Sequence, residues 1–402
     1  MATFWRAFPC NKAELDLGLT LACGQSFRWA MVPGAISGVL AGRVWRLSQT
    51  DTHIRYQVIG RVGDKPTPSR PGRRNQKRKS NTPLEPNNET VQKKIKSEKN
   101  VDTKKQTEMM TQAITSNTEG TKISKIKTED TEEVTLKTEA GLTEDDICVS
   151  ILRDYFQLDV KLTDLYEQWC KDDPHFKQVS PNFTGIRMLR QDPVENLFSF
   201  ICSSNNHISR ISGMVERLCE AYSTQQYELY GVTYYAFPTV SALAGRGVEE
   251  RLRKLGFGYR ARYISETAQY IMKQGGESWL YNLRTLPYEE AKAELMKLSG
   301  VGAKVADCVC LMSLDKTGAI PVDTHVWQIV HRDYKHKLGT TKTLTDKTYK
   351  EIGDFFRQIW GPYAGWAHSV LFAADLRKFQ ERKTSPEKKA VAKKLTKKKK
   401  SR

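Results

Sequence analysis

Residues 298–307, Leu-Ser-Gly-Val-Gly-Ala-Lys-Val-Ala-Asp, are the stretch of this sequence with the most evident chemical potential. They join an amphipathic helical pattern to an apolar one. Gly300 and Gly302 permit positive φ and close approach of another backbone. The second helix offers its first unpaired N–H groups and its positive dipole end to a phosphate. A helical corner with a glycine C-cap would explain the same glycines, but the L-x-G-V-G-x-K spacing favours phosphate binding.

Lys304 lies in the first turn of that second helix. An ordinary lysine amine has a pKa of about 10.4 and is protonated at neutral pH. A helix N-terminus and burial both disfavour the charged form, so they predict a lowered pKa. Such an amine can form a Schiff base with an aldehyde-like sugar carbon. On sequence context alone, an exposed lysine that contacts phosphate is the better interpretation.

Asp323 follows Pro321-Val322 and precedes a helical pattern over residues 324–332, which indicates an N-cap. A carboxylate held by backbone N–H groups stays ionised, and it can stabilise positive charge that develops during a reaction. The two roles are compatible.

Two ordered regions are predicted to position these residues. Residues 1–60 contain short β-branched and aromatic runs at 26–29, 39–40, 44–47 and 54–58, separated by glycines, as in antiparallel hairpins. Residues 144–377 are helical in pattern, beginning with Thr143 as an N-cap. Further helices are predicted from 193 and over 211–222, 259–272, 288–297, 303–314, 324–332, 349–360 and 364–377. The predicted fold class is α+β, with a small N-terminal antiparallel β domain packed on a mostly α-helical core.

The positive charge is concentrated outside these two regions. The 402 residues include 64 Lys and Arg against 46 Asp and Glu, a net charge of +18, to which residues 61–140 contribute +6 and residues 378–402 contribute +10. No aromatic residue lies between Tyr56 and Tyr155. We therefore predict a disordered basic and acidic insertion over 61–143 and a disordered Lys-rich tail over 378–402.

Two clusters of basic residues lie at 73–79 and 393–400. They favour binding of nuclear import receptors by at least one cluster, and sequence-independent attraction to phosphates. A solvated segment that keeps the protein soluble is the alternative. The predicted location is the nucleus, and a mitochondrial pool is left open.

Several classes of protein are excluded or disfavoured. The chain has no run of about 18 apolar residues, so no membrane span is predicted. Its first residues make a poor secretory or transit signal. Eight Cys in this length indicate reduced thiols rather than a disulfide framework. Cys308-x-Cys310 lacks the partner pair of a zinc site, and no Cys follows it. We predict no metal site formed by side chains, no iron–sulfur cluster and no organic cofactor, and a cation held by the hairpin carbonyls is left open.

The hairpin and the Val322-Asp323 pair together resemble the helix-hairpin-helix DNA glycosylase superfamily. Other runs resemble one of its families, the eukaryotic 8-oxoguanine DNA glycosylase/AP lyases: GQSFRW at 24–29, FSFICSSNN at 198–206, LGFGYRAR at 255–262, KVADCVCLM at 304–312 and WGPYAGWA at 360–367. The resemblance covers nearly all of 1–60 and 144–377. It implies a helix-hairpin-helix glycosylase core, acting as a monomer on double-stranded DNA that contains an oxidised purine.

The implied activity is excision of 8-oxoguanine opposite cytosine, followed by cleavage of the abasic strand. Lys304 matches the family nucleophile that attacks C1′, and the resulting imine permits β-elimination. Asp323 matches the carboxylate that stabilises the oxocarbenium charge as the base departs.

The resemblance also implies a pocket for an extruded base, which the enzyme must reach outside the duplex. Cys308, and Met312 one turn further, lie on the face of Lys304, where core packing is the usual role of such residues. The resemblance instead places Cys308 against one face of the base and Phe372 against the other. The carbonyl of Gly24 accepts from N7–H, which 8-oxoguanine has and guanine lacks.

Contacts with the remaining DNA are implied for a further set of residues. The family residues that fill the vacated stack and contact the orphaned cytosine are matched here by Asn205, Arg210, Tyr259 and Arg260. The residues implied to contact phosphate are Gly300, Gly302, Val305 and His325.

The sequence departs from the family pattern at three positions. Ser299 replaces a proline of the hairpin, His207 replaces an asparagine, and His368 replaces a glutamine that contacts the Watson–Crick edge of the base. An amide offers a donor and an acceptor together, whereas a neutral imidazole does so only from separate nitrogens. The base specificity and its pH dependence are therefore open.

Two other functions remain as alternatives. The first is a related glycosylase for another base, such as adenine or an alkylated purine. The second is a non-catalytic DNA-binding scaffold. Lys304 disfavours the monofunctional glycosylases, and Lys304 with Asp323 disfavours the scaffold.

Overall fold

The computed structural model describes residues 4–63, 143–229, 231–335 and 344–379. The two basic clusters, and nearly all of the predicted insertion and tail, lie outside these residues. At the described ends of the insertion, residue 61 belongs to a strand and Thr143 caps a helix.

The described residues contain seven strands and fifteen α-helices. The strands are β1 (Arg6–Pro9), β2 (Ala30–Val32), β3 (Ala35–Leu40), β4 (Arg43–Gln49), β5 (His53–Arg61), β6 (Gln226–Leu229) and β7 (Val232–Tyr235). The helices are α1 (Leu17–Thr20), α2 (Glu144–Tyr155), α3 (Leu162–Asp172), α4 (Pro174–Val179), α5 (Pro193–Ile201), α6 (Ile208–Tyr222), α7 (Val240–Leu243), α8 (Val248–Lys254), α9 (Arg260–Lys273), α10 (Glu277–Asn282), α11 (Tyr288–Met296), α12 (Ala303–Ser313), α13 (Thr324–Asp333), α14 (Asp346–Trp360) and α15 (Ala364–Asp375).

Strands β1 to β5 form one antiparallel sheet in the order β1-β5-β4-β3-β2. Alternate residues of β4 and β5, including Trp45 and Tyr56, are fully buried. They pack on the apolar face of α2, which includes Leu152. A capping box between Thr143 and Asp146 begins α2. The predicted antiparallel β domain is confirmed.

The strand predicted at residues 26–29 is wrong. These residues have no regular structure, and β2 begins at Ala30 instead. Their side chains are used for tertiary contacts: the Arg28 guanidinium pairs with Glu195 at 2.9 Å, and Trp29 Nε1 donates to Tyr155 Oη at 2.9 Å. Aromatic residues gave this segment a strand-like composition, but contacts with helices determine its path.

The remaining described residues are mainly helical, as predicted. The eight helices predicted from residue 193 onward are present, with ends shifted by up to three residues. The exception is the β6–β7 hairpin, which the sequence analysis missed. Its Tyr227 hydroxyl donates to the Ile59 carbonyl at 2.7 Å, so the hairpin packs on the N-terminal sheet. No described helix is long and apolar enough to cross a membrane.

Candidate active site

A cavity of about 50 Å³ lies where the loop after α1 meets α12, the start of α13 and α15. It is lined by Cys23, Gly24, Gln25, Phe200, Lys304, Cys308, Met312, Pro321, Asp323, His368, Ser369 and Phe372. All seven residues predicted for catalysis or base binding are in this set. A larger cavity of about 250 Å³ between α4, α13 and α15 contains no predicted site residue.

The Lys304 amine is placed by the first turn of α12. Its Nζ lies 5.1 Å from the centre of the Phe200 ring, within the range of a cation–π contact. The Cys308 thiol lies one turn further along the helix and lines the same cavity. Burial raises the pKa of Cys308 to about 11, although the Lys304 charge opposes the shift. Cys308 is therefore an un-ionised thiol at neutral pH.

The Asp323 carboxylate faces the cavity from the N-cap of α13. Its Oδ1 accepts from the backbone N–H groups of His325 at 2.9 Å and Val326 at 3.1 Å. The predicted N-cap is thus confirmed. These two bonds hold the carboxylate where the helix dipole favours negative charge.

His368 forms the inner wall of the cavity on α15, and its side chain is 6% exposed. Neither ring nitrogen has a hydrogen-bond partner among the described residues. Desolvation lowers the pKa of His368 to about 4; Asp323 opposes this shift and Lys304 adds to it. The imidazole is therefore neutral at pH 7, and its two buried nitrogens are available to hydrogen-bond with a ligand in the cavity.

The Gly24 backbone is held by its neighbour Gln25. The Gln25 amide donates to the Arg187 carbonyl at 2.8 Å and accepts from the Leu189 N–H at 3.0 Å. Gly24 has φ +91°, and a Cβ there would lie 3.1 Å from Ile208 Cδ1. Glycine therefore fits this turn without strain. The anchored turn fixes the direction of the Gly24 carbonyl.

The residues predicted to contact the orphaned cytosine lie apart from the cavity. Tyr259 is 47% exposed, and its hydroxyl donates to the Ser204 carbonyl at 3.1 Å. Arg260 is buried and donates to the carbonyls of Ser204 and Asn205, with its guanidinium 4.5 Å from the Tyr259 ring centre. Arg210 is exposed in the first turn of α6. These contacts hold Tyr259 and Arg260 against the backbone of Ser204 and Asn205. The DNA contacts of all four residues stay a prediction.

The helix-hairpin-helix glycines have different surroundings. Gly300 has φ +75°, and a Cβ there would lie 2.5 Å from the Tyr263 ring. The hairpin is also fastened to α9 by Ser299, whose Oγ donates to Glu266 at 2.6 Å. By contrast, a Cβ on Gly302 would meet no atom within 4 Å. Gly300 is thus required by packing, whereas Gly302 leaves open space at the N-terminus of α12.

This contrast predicts opposite effects for two substitutions. Gly300→Ala should lower the free energy of unfolding by about 1–3 kcal/mol through strain and overpacking. Gly302→Thr should leave it nearly unchanged, because Thr and Gly cap helices about equally. The Thr side chain should lower DNA affinity about tenfold, because it obstructs phosphate hydrogen bonds to the first N–H groups. Thermal melts and DNA titrations test both; a Gly302→Thr protein with full affinity would contradict phosphate binding here.

The other two predicted phosphate contacts are Val305 and His325. Val305 lies in the first turn of α12 and is 5% exposed. His325 is half-exposed, with its Nδ1 3.3 Å from Asp375 Oδ2 and its ring 6.0 Å from that of Phe372. This arrangement leaves Nε2 of His325 directed away from Asp375.

Sequence reasoning assigned no role to Phe200 or Gln25, although both belong to runs on which the resemblance rests. Phe200 contacts the Lys304 amine, and Gln25 anchors the turn that contains Gly24. Both functions depend on tertiary contacts, which the residue types alone do not reveal. Among the described residues, no three His, Cys, Asp or Glu side chains come close enough together to hold a metal ion.

A lysine amine and a capped carboxylate share one cavity beside a helix-hairpin-helix, which is the arrangement that the resemblance to the helix-hairpin-helix DNA glycosylase superfamily implies. Comparison with family models agrees. Residues 7–197 match the 8-oxoguanine DNA glycosylase N-terminal domain, and residues 198–354 match the HhH-GPD superfamily base excision DNA repair protein. The chain belongs to the 8-oxoguanine DNA glycosylase family within that superfamily.

Individual relatives are consistent with this family. The chain is 42% identical to the N-glycosylase/DNA lyase of Saccharomyces cerevisiae, in a match spanning 56% of this chain and 66% of that protein. It is also 42% identical to the N-glycosylase/DNA lyase OGG1 of Arabidopsis thaliana, over 56% and 61% of the respective chains. The chain thus spans slightly less than two thirds of the length of these relatives.

A solved structure shares the fold. It is the Clostridium acetobutylicum 8-oxoguanine glycosylase/lyase in complex with double-stranded DNA that contains cytosine opposite 8-oxoguanine. The TM-score is 0.62 at 23% identity, with 92% of this chain and 93% of that chain covered.

Proposed function

We propose that this protein is a bifunctional DNA glycosylase/AP lyase that excises 8-oxoguanine opposite cytosine and then cleaves the abasic strand. The observation that carries this proposal is the common cavity of Lys304, Asp323 and the base-binding set. The catalytic names of the yeast and Arabidopsis relatives, and the DNA bound to the clostridial relative, support it.

The base-binding set offers a contact to each face and each polar edge of one flipped purine. The Gly24 carbonyl would accept from N7–H of 8-oxoguanine, while Cys308 and Phe372 would cover the two faces of the base. The unpartnered nitrogens of His368 would pair with the Watson–Crick edge. A protein cavity that binds benzene, which is smaller than a purine, has a volume of about 150 Å³. The cavity of about 50 Å³ observed here must therefore widen as the base enters.

The chemistry follows from two groups. The unprotonated Lys304 amine forms a bond to C1′ while the C1′–N9 bond breaks. The electron pair of that bond leaves with the base, which takes up the proton that the new amine nitrogen releases. The Asp323 carboxylate stabilises the positive charge that develops on the sugar. The sugar ring opens to an imine, loss of a C2′ proton follows, and the 3′ phosphate departs by β-elimination.

Duplexes with 8-oxoguanine opposite each of the four bases test this proposal, with undamaged guanine as the control. We expect excision and a borohydride-trapped covalent adduct, both strongest opposite cytosine. Turnover without an adduct would indicate a monofunctional glycosylase. Binding without turnover would indicate a scaffold, and preference for another damaged base would identify a related glycosylase.

The buried His368 predicts a pH-dependent stability. Its pKa is lowered to about 4 in the folded protein, against about 6.5 in an unfolded chain. As pH falls from 6.5 towards 4, the unfolded chain takes up a proton that the folded protein excludes, so the folded state loses stability. The His368→Gln variant lacks this loss. The free energy of unfolding of this variant, relative to that of wild type, should rise by roughly 1 kcal/mol for each unit by which the pH falls across this range. Denaturant unfolding at several pH values tests this, and a constant difference would contradict it.

We further propose that the protein acts as a monomer and enters the nucleus through its basic clusters at 73–79 and 393–400. Sedimentation of the purified chain should give a single species of 45.9 kDa. Alanine replacement of the lysines and arginines in both clusters should reduce the nuclear fraction in cells, while the excision rate on short duplexes stays near that of wild type. An unchanged nuclear fraction would refute import by these clusters.

A further inference from the structure

A buried charged cluster joins α11 and α12, the two helices of the hairpin. Its centre is Asp307, which is fully buried on α12 one turn after Lys304. The Asp307 carboxylate accepts from Lys292 Nζ at 2.9 Å and from Tyr288 Oη at 2.6 Å. Burial raises the pKa of Asp307, and the Lys292 charge opposes that shift. Lys292 and Tyr288 both belong to α11, so this half of the cluster fastens α11 to α12.

A third donor connects the cluster to another part of the chain. The Tyr349 hydroxyl, from α14, donates to Asp307 Oδ2 at 2.5 Å. The same hydroxyl oxygen accepts from the backbone N–H of Val322 at 3.2 Å. A tyrosine hydroxyl has one proton, and the short bond to a carboxylate uses it, so the oxygen is free to accept. Tyr349 is 8% exposed and Val322 is 1% exposed, so water does not replace these bonds readily.

Val322 immediately precedes Asp323, and Asp307 lies three residues after Lys304. The Tyr349 hydroxyl therefore bridges the helix that carries the amine and the peptide that carries the carboxylate. Neither catalytic group touches Tyr349 in this path. Two consecutive hydrogen bonds through one oxygen atom thus connect the two segments that carry these groups.

We propose that Tyr349 is a positioning residue, which holds the Asp323 carboxylate in register with the Lys304 amine through Asp307 and Val322. This inference rests on the proposed function for its effect on rate. A displacement of about 1 Å at a reacting group can cost on the order of 100-fold in rate, so a hydrogen bond outside the cavity can control catalysis.

The chain offers a matched control in Tyr288. Tyr288→Phe and Tyr349→Phe each remove one hydroxyl donor from the same carboxylate. The Tyr288 hydroxyl bonds to Asp307 and Lys292, within α11 and α12, whereas the Tyr349 hydroxyl also holds Val322. A purely structural role for the cluster predicts similar effects for the two variants.

The test compares both variants with wild type in the full-length protein. Single-turnover excision of 8-oxoguanine opposite cytosine should slow by about 10- to 100-fold in Tyr349→Phe and by less than about twofold in Tyr288→Phe. Affinity for a duplex containing a tetrahydrofuran abasic analogue should match wild type in both, because each hydroxyl is bonded to the buried Asp307 carboxylate. Amide hydrogen exchange in the peptide containing Val322 should be faster in Tyr349→Phe only.

Equal excision rates in the two variants, or unchanged exchange at Val322 in Tyr349→Phe, would overturn the inference. A wild-type protein that does not excise 8-oxoguanine would refute the proposed function instead. In that case, hydrogen exchange at Val322 still decides whether Tyr349 positions this segment.

Discussion

Lys304→Gln is expected to lose excision by at least about 10⁴-fold and to give no borohydride-trapped adduct. Glutamine keeps most of the side-chain length and the position in the first turn of α12, but it has no nucleophilic amine. Its affinity for 8-oxoguanine duplexes should remain within a few-fold of wild type, because the hairpin N–H groups and the base-binding set are intact. Single-turnover excision and a binding titration on the same duplex separate the two effects.

Lys297→Gln is the matched control for the loss of a lysine. Lys297 lies at the end of α11, half-exposed, and pairs with Glu294 at 2.6 Å. Exposed pairs of this kind contribute little to stability. This variant should excise and trap as wild type does. Persistent trapping by Lys304→Gln would require a different nucleophile and would overturn the assignment.

Asp323→Asn is expected to slow excision by about 10²- to 10³-fold, the usual cost of removing a group that stabilises transition-state charge. Asparagine caps helices about as well as aspartate, so the bonds from the His325 and Val326 N–H groups can persist. The melting temperature should therefore stay close to that of wild type. The amide keeps the shape of the side chain but lacks the negative charge that favours the oxocarbenium state.

Asp323→Ala serves as the companion variant, because it removes the cap and the charge together. It should lose stability by about 1 kcal/mol in addition to activity. If Asp323→Asn excises at the wild-type rate, the carboxylate serves only as a helix cap.

Local rules predicted much of the scaffold. Apolar periodicity located the two hairpin helices. The caps Asp323 and Thr143 located the starts of α13 and α2, because their side-chain oxygens satisfy first-turn N–H groups. The antiparallel strands near Trp45 and Tyr56 followed from alternation, since one face of that sheet is buried. These patterns depend on near neighbours in the chain, so the sequence displays them directly.

The interior of the site could not be derived in the same way. Gly24 and Lys304 are far apart in the sequence but line the same cavity, because of the way in which the sheet packs on the helices. Only the family resemblance suggested that the two residues lie close together. The roles of Phe200 and Tyr349 also depend on tertiary contacts. A phenylalanine in an apolar helix and a tyrosine in an amphipathic one are ordinary core residues until their contacts with Lys304 and Val322 are known.

The departures from the family pattern acquire physical explanations in the structure. Ser299 replaces a proline, yet its hydroxyl donates to Glu266 and lowers the pKa of that carboxyl group, so a hydrogen bond fastens the hairpin to α9. His207 caps α6 by accepting from the Arg210 N–H. His368 keeps a polar, uncharged wall at neutral pH, as the replaced amide would. The fold accommodates all three substitutions.

The central claim is that the Lys304 amine is the nucleophile at C1′. The most direct measurement is peptide mapping by mass spectrometry of the wild-type protein after borohydride reduction on a duplex with 8-oxoguanine opposite cytosine. We predict a deoxyribose-derived mass on Lys304 alone. Attachment of the sugar to another lysine or to the N-terminal amine, with Lys304 unmodified, would contradict the account.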